Sequence, residues 1–272
     1  MKKIFMMIMA ISFCAAVALA GPVERELPET TPAQIKDSVR QMVDQGFNPQ
    51  EVIDMTQQML ANNFREQQVL QAQTILMNAR RQGLPTEPMM NKAYEGLAKQ
   101  VQAEAVVRAM EQVLSRCEFA TKQARVITSD KARISQMAAV LAESMAAGMN
   151  QEDAERIMQA LRARTRNMAQ AHSEELAMQT VMTTRTMLRL RMQSKSVGDS
   201  VCQALQQGYS AQEMLKLRNT VMENSRHSYS ESFSKGHSFD AGQQGGQQGM
   251  GGPGGDSGGG MGGGTGGGGG RK

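Results

Sequence analysis

The sequence predicts an all-α protein: an array of short antiparallel helical hairpins, as a bundle or a short α-solenoid, ending in a disordered Gly-rich C-terminal tail. Three observations carry this expectation. A complete hairpin signature, DSVRQMVDQGFNPQEVI over Asp37 to Ile53, returns as DSVCQALQQGYSAQEML over Asp199 to Leu215. Between residues 31 and 224 the chain is rich in Ala, Gln, Met, Leu, Glu and Arg, with almost no proline away from the joints. No segment shows the two-residue alternation of a half-buried strand.

In the first copy of the hairpin, Val39, Met42 and Val43 mark one helical face, and Gly46 supplies the residue without Cβ that closes a helix in the left-handed conformation. A second helix starts at once. Asn48 is a preferred N-cap, Pro49 suits the first helical position, and Glu51 stands where a capping box needs a carboxylate. Phe47 and Val52 are placed to form a hydrophobic staple. In the second copy Tyr209 replaces Phe47 and Ser210 replaces Asn48.

Weaker copies lie between the two. Gly83-Leu84-Pro85 is followed by Glu87, and Gly148-Met149-Asn150 is followed by Asp153 in the carboxylate position of the box. Asn63-Phe64 before Val69, and Gln100-Val101 before Val106, read as the same joint without its glycine. Joints at 46, 63, 83 and 100 are 17, 20 and 17 residues apart, so each unit is one helix and its turn, which is the mark of an internal repeat.

From the N-terminus, Lys2 and Lys3, the apolar run Ile4 to Val17 and the small-residue sequence Ala18-Leu19-Ala20 form a secretory signal peptide over residues 1–20, with cleavage before Gly21. The apolar run is shorter than the ~20 residues a membrane anchor needs. Cys14 does not make a lipoprotein signal, since Phe13 precedes it and it lies inside the apolar run. Residues 21–30 read as an extended lead-in, and residues 31–224 as the helical repeat domain. Thr31, Pro32 and Gln34 are expected to cap its first helix.

Further breaks are expected at Ser129-Asp130, at His172-Ser173 ahead of Glu175, and over Ser194 to Asp199. This gives nine or ten helices, with a subdivision near residue 128 left open. With no Trp, the core must be built from Met, Leu, Val, Ile and Ala. Beyond Asn224 the composition turns to Ser, Gly and Gln, too little apolar area to offset the entropy of ordering, so residues 225–272 are expected to be disordered.

Thirty basic against 26 acidic residues gives a net charge of +4, and loss of Lys2 and Lys3 with the signal leaves +2. That balance argues against a nucleic-acid partner, which calls for a concentrated basic stripe. The densest basic stretch, Arg162, Arg164 and Arg166 and then Arg185, Arg189, Arg191 and Lys195, reads first as a solvated helix face and second as a contact for an anionic membrane surface or an acidic partner.

Cys117 and Cys202 are the cysteines left after processing, and export places them where disulfides form. They are expected to pair, closing a loop of about 86 residues, for which chain entropy gives on the order of 4 kcal/mol. The alternative is two free thiols too far apart to bond. Met is abundant, with 24 residues, and thioethers suit Cu(I) or Ag(I). The pairs Met55/Met59, Met145/Met149 and Met178/Met182 share a face, as a methionine-rich core would also require. His172, His227 and His237 do not cluster with them, and no resident metal or other cofactor is expected.

Gly255-Asp256-Ser257-Gly258-Gly259 matches the surroundings of a chymotrypsin-like nucleophile, but such a serine needs a folded β-barrel around it. Glu174/Glu175 and Glu152/Asp153 fit helix N-terminal charge better than catalysis. No catalytic constellation emerges, and no enzyme activity is expected.

Residues 83–99, GLPTEPMMNKAYEGLAK, resemble a motif of uncharacterised exported bacterial proteins of the form G-L-P-x-E-P-x-x-N-K-x-x-E-G-L-A-K, matched at Gly83, Pro85, Glu87, Pro88, Asn91, Lys92 and Glu95 to Lys99. The resemblance implies helical hairpins and export, and carries no activity or site residues. In that pattern a Gly-Val-Pro joint follows; here Gln100-Val101-Gln102 stands instead, which suggests a joint straightened into a longer helix. Asn91 and Lys92 read as capping and solvation residues, or else as an exposed polar contact. The functional expectation is an exported, non-enzymatic binding or envelope-associated module, periplasmic or extracellular. Its partner would be a protein or envelope component, with no membrane span after processing. The alternative is a Met-rich periplasmic Cu(I)/Ag(I) binder.

Overall fold

The computed structural model describes residues 26–236, with side chains as far as Arg226. The expected signal peptide, the Cys14 reading, His227 and His237, and the glycine-rich segment lie wholly or largely outside that range. Among the described residues there are ten α-helices and no strand: α1 (Ala33–Asp44), α2 (Pro49–Ala61), α3 (Glu66–Arg81), α4 (Glu87–Ala98), α5 (Ala103–Ile127), α6 (Lys131–Ala146), α7 (Gln151–Thr165), α8 (Gln170–Arg189), α9 (Ser194–Gln206) and α10 (Ala211–Gly236). The last helix therefore continues past Asn224, where the change in composition had placed the end of the helical pattern.

The joints repeat one backbone device. At Gly46, with φ +83°, the Gly46 N–H donates to the Val43 carbonyl over 2.8 Å and the Phe47 N–H to the Met42 carbonyl over 3.2 Å, the paired bonds of a Schellman turn. The same pair closes the helices at Asn63, Gly83, Gln100, Gly148, Arg191 and Gly208, all with positive φ. Glycine is thus a preference and not a requirement. The joint at Gln100, expected to straighten, keeps its turn at φ +53°. After four of these turns the apolar residue, Phe47, Phe64, Leu84 or Met149, is buried and fixes the chain's direction into the next helix, whereas Val101 after Gln100 is exposed.

Several caps differ from expectation. Asn48 accepts from the Gln50 N–H over 2.9 Å and from the Glu51 N–H over 3.5 Å, but the Glu51 carboxylate does not close the box. The reciprocal box forms in the second copy, where Ser210 N–H donates to Glu213 over 2.7 Å and Glu213 N–H to the Ser210 hydroxyl over 3.3 Å. Pro32, not Thr31, is the N-cap of α1. Asp130 caps α6 as expected, accepting from Arg133 N–H over 2.8 Å. His172 and Ser173 lie inside α8, which starts after Ala169, because the Ser173 hydroxyl turns back to the Gln170 carbonyl instead of capping. The joint expected over Ser194 to Asp199 sits earlier, at Arg191, and Ser194 opens α9.

Most helices pack on a neighbour in sequence or on the next helix but one, although α6 and α7 share no comparable packing. α1, α3, α5, α7 and α9 form one continuous row, each packed on the next. The even helices pair as α2 with α4 and as α6 with α8, but α4 and α6 share no comparable packing, so the second row is interrupted. The core follows this break. One hydrophobic cluster runs from Leu27 to Cys117 and a second from Ala120 to Met214, dividing inside α5 rather than at residue 128. Both belong to one compact unit ending at Ser228. Ala142 on α6 packs against both clusters.

Candidate ligand-binding cavity

Where the second row is interrupted, a cavity of about 940 Å³ opens between α5, α6 and the joint that leads into α4. Its volume falls in the ~300–1,000 Å³ range of small-molecule pockets. Along α5, Val113, Cys117 and Thr121 recur every four residues and present one stripe to it. Along α6, Ile134, Ala138, Ala142 and Ala146 do the same. Three alanines in that stripe, with Ala139 beside it, lack the bulk that would close the gap. Gly83, Pro85, Glu87 and Pro88 complete the wall, so part of the GLPTEP motif borders the cavity.

The charges lie around an apolar interior. Arg116, Arg125 and Lys131 line the cavity, and none forms an ion pair among the described residues. Of the two lining carboxylates, Glu143 is engaged by Arg185 at 2.9 Å and Arg189 at 2.8 Å, whereas Glu87 has no cationic partner. The Thr121 hydroxyl also makes no hydrogen bond among the described residues, although the residue is only 7% exposed. Thr74, Thr180 and Thr184 show the usual alternative, donating to the carbonyl four residues back. A hydroxyl that faces an open volume without a protein partner is free to bond a ligand or water.

The predicted site residues are not brought together. Cys117 is 6% exposed, belongs to the first cluster and lines the cavity; Cys202 is partly buried on α9 against the second cluster. Both are free thiols, which corrects the expected disulfide. The reason is positional. Cys202 takes the hairpin position held by exposed Arg40 in the first copy, off the core stripe, while Cys117 sits on the core stripe of α5. Burial pushes both thiols up from their ordinary pKa.

The other sequence candidates serve the fold. Met55 and Met59 are fully buried in the first cluster, Met149 is buried with its sulfur 3.4 Å from the Ser194 oxygen, and Met145, Met178 and Met182 pack partly buried against the second. Among the described residues no three or more His, Cys, Asp or Glu side chains assemble to hold a metal ion, and no helix is long and apolar enough to cross a membrane. In the basic stretch, Arg164 donates to the Gly208 carbonyl over 3.0 Å and Arg185 and Arg189 hold Glu143, while Arg162, Arg166, Arg191 and Lys195 are exposed. Glu174 accepts from the Thr128 hydroxyl over 2.6 Å and from Gln170 over 2.8 Å. Lys92 and Lys99 both bond Glu95, which their hydrogen bonds hold down to about 2.

Thr121, Arg116, Arg125, Lys131 and the α6 alanines escaped sequence reasoning. Their four-residue periodicity was visible, but a stripe of small residues on one helix looks the same whether a neighbour packs on it or nothing does. Comparison with protein-family models, with curated proteins and with solved structures finds no match to the chain. The fold and the cavity define a class: an all-α helical repeat protein with a ligand-sized apolar cavity where its two core clusters meet.

Proposed function

We propose that this chain is an exported, non-enzymatic helical repeat protein that works by binding, and that the cavity between α4, α5 and α6 is its contact site. The observation that carries this reading is the cavity's make-up: two apolar helix stripes with cations around them. Burial pushes the Cys117 thiol in the lining above its ordinary pKa, the opposite of what an activated nucleophile needs. The N-terminal sequence supports export through its basic start, apolar run and small-residue cleavage site. The resemblance of residues 83–99 to exported helical proteins points the same way, and part of that motif lines the cavity.

The test is to release the periplasmic contents by osmotic shock and sequence the protein's N-terminus. A chain beginning at Gly21, in the released or the envelope fraction, supports the reading. A chain keeping residues 1–20 in the cytoplasm contradicts it. The alternative, a Cu(I) or Ag(I) binder, relies on methionine pairs that the fold uses as core or as partly buried packing. A Cu(I) competition titration with affinity no greater than a generic peptide's would dispose of it.

A further inference from the structure

The cavity also carries a ligand class, an inference that rests on the binding reading above. We infer that it takes a single-chain fatty acid, with the carboxylate at the α5–α6 turn and the alkyl chain lying between the two helices. From Val113 to Arg125 the α5 wall spans twelve residues, or about 18 Å of helix. The volume is therefore elongated, as an unbranched chain requires.

Its two ends differ in charge. Arg125 near the end of α5 and Lys131 at the start of α6 flank the short Thr128–Asp130 connection, so two cations without ion-pair partners stand at that end. Glu143, three turns along α6 from Lys131, stands toward the other end, already neutralised by Arg185 and Arg189. Toward that end Arg116 and Glu87 also line the cavity, one charge of each sign without an ion-pair partner among the described residues, so the excess of positive charge stands at the turn and draws an anionic head there. The Ser129 hydroxyl lines the cavity at the same turn without a hydrogen bond of its own, and Thr121 lies one helical turn inward from Arg125 with its hydroxyl equally unpartnered. A carboxylate accepts from such donors, and charge-assisted bonds of this kind are the strong ones. Beyond them, Cys117 and Val113 on one side and Ile134, Ala138 and Ala142 on the other offer apolar surface, with Arg116 and Ser135 the polar residues beside it, and burial of that surface against a methylene chain is favourable in proportion to area.

The experiment titrates the full processed chain with dodecanoate, with its neutral methyl ester and with acetate, by calorimetry at neutral pH. Two variants are compared: Arg125→Glu/Lys131→Glu, which reverses the charge at the turn, and Ala142→Phe, which fills the apolar channel. Arg125→Gln, an exposed single change, serves as a second charge variant should the double variant fail to fold. One saturable dodecanoate site is expected, at least tenfold weaker in the charge variants, with the ester changed less than twofold by them. Ala142→Phe should weaken both chains, and acetate should not compete. Equal affinity of wild-type protein for dodecanoate and ester, or dodecanoate binding that neither variant alters, would overturn the inference. So would no binding at all. In that case a processed protein outside the cytoplasm leaves the wider reading standing, whereas an unprocessed cytoplasmic protein removes it even if dodecanoate binds.

Discussion

The Ser194 hydroxyl at the start of α9 donates a 2.6 Å hydrogen bond to the Asp153 carboxylate on α7, and itself accepts from the Asn150 N–H over 3.1 Å. Arg156 adds a 2.8 Å bond to Asp153 and reaches Asp199 at 2.9 Å. This polar clasp joins the two hairpins of the second cluster, and at 5% exposure Asp153 has little water to replace a lost partner. Asp153→Ala should lower stability by about 2 kcal/mol, the usual worth of hydrogen bonds to a charged group. Chemical denaturation of the two proteins measures it; a change within ~0.5 kcal/mol, usual for a surface substitution, would contradict the clasp.

The same group gives a pH dependence with a definite sign. The Ser194 hydroxyl, followed by Arg156 and Asn150, holds Asp153 below the usual carboxylate range. Glu174 and Glu213 are also lowered, chiefly by Thr128 and by Ser210, and Glu95 is held at about 2 by Lys92 and Lys99. A carboxylate whose folded pKa is depressed binds protons more readily in the unfolded chain. Its contribution is therefore complete above the unfolded value of ~4 and disappears as pH falls through the folded one. Stability should be level in this respect above pH ~5 and decline steadily from there toward pH ~2. Denaturation midpoints across that window check it, and Asp153→Asn should flatten part of the decline.

Gly96 on α4 packs directly against Val106 on α5. A Cβ there would stand 2.5 Å from Val106 Cγ2. Gly96→Ala should cost about 1–3 kcal/mol through overpacking, despite the better helix propensity of alanine. Adding Val106→Ala should recover part of the loss, and a double-mutant cycle detects the coupling.

The joints predict substitutions of opposite sign. Gln100 holds φ +53° with a side chain that glycine would not need, so Gln100→Gly should stabilise by about 1 kcal/mol. Gly148 holds φ +112° with nothing within 4 Å of an added Cβ, so Gly148→Ala should destabilise through backbone strain alone. Thermal melts of the pair give the signs directly.

How much of this was legible follows the physics of each element. The joints at Gly46, Gly83, Gly148 and Gly208 announced themselves because glycine before an apolar residue and a cap is a local signal. Arg191 was missed because nothing in Leu190-Arg191-Met192 distinguishes a left-handed arginine from a helical one. Asp130 was visible as a cap, whereas Ser173 was misjudged because a serine can equally turn its hydroxyl back onto its own helix. The cavity could not be foreseen, since it depends on α4 and α6 failing to pack. The cysteine pairing failed for the related reason that distance between two helix faces is set by the whole array.

Cys117 and Cys202 should titrate as two free thiols in a chain that begins at Gly21, unfolded without reductant. Cys202→Ser should change stability little, because its position is the one that Arg40 occupies exposed in the other hairpin.

That variant allows the most direct test of the central claim, that the cavity is where this protein binds its ligand. In a chain that begins at Gly21, Cys117 is then the single thiol, and it lines the cavity. Its rate of modification by N-ethylmaleimide, measured with and without dodecanoate, should fall several-fold when the ligand is bound. A rate that stays the same at saturating dodecanoate would place the ligand elsewhere and contradict the account.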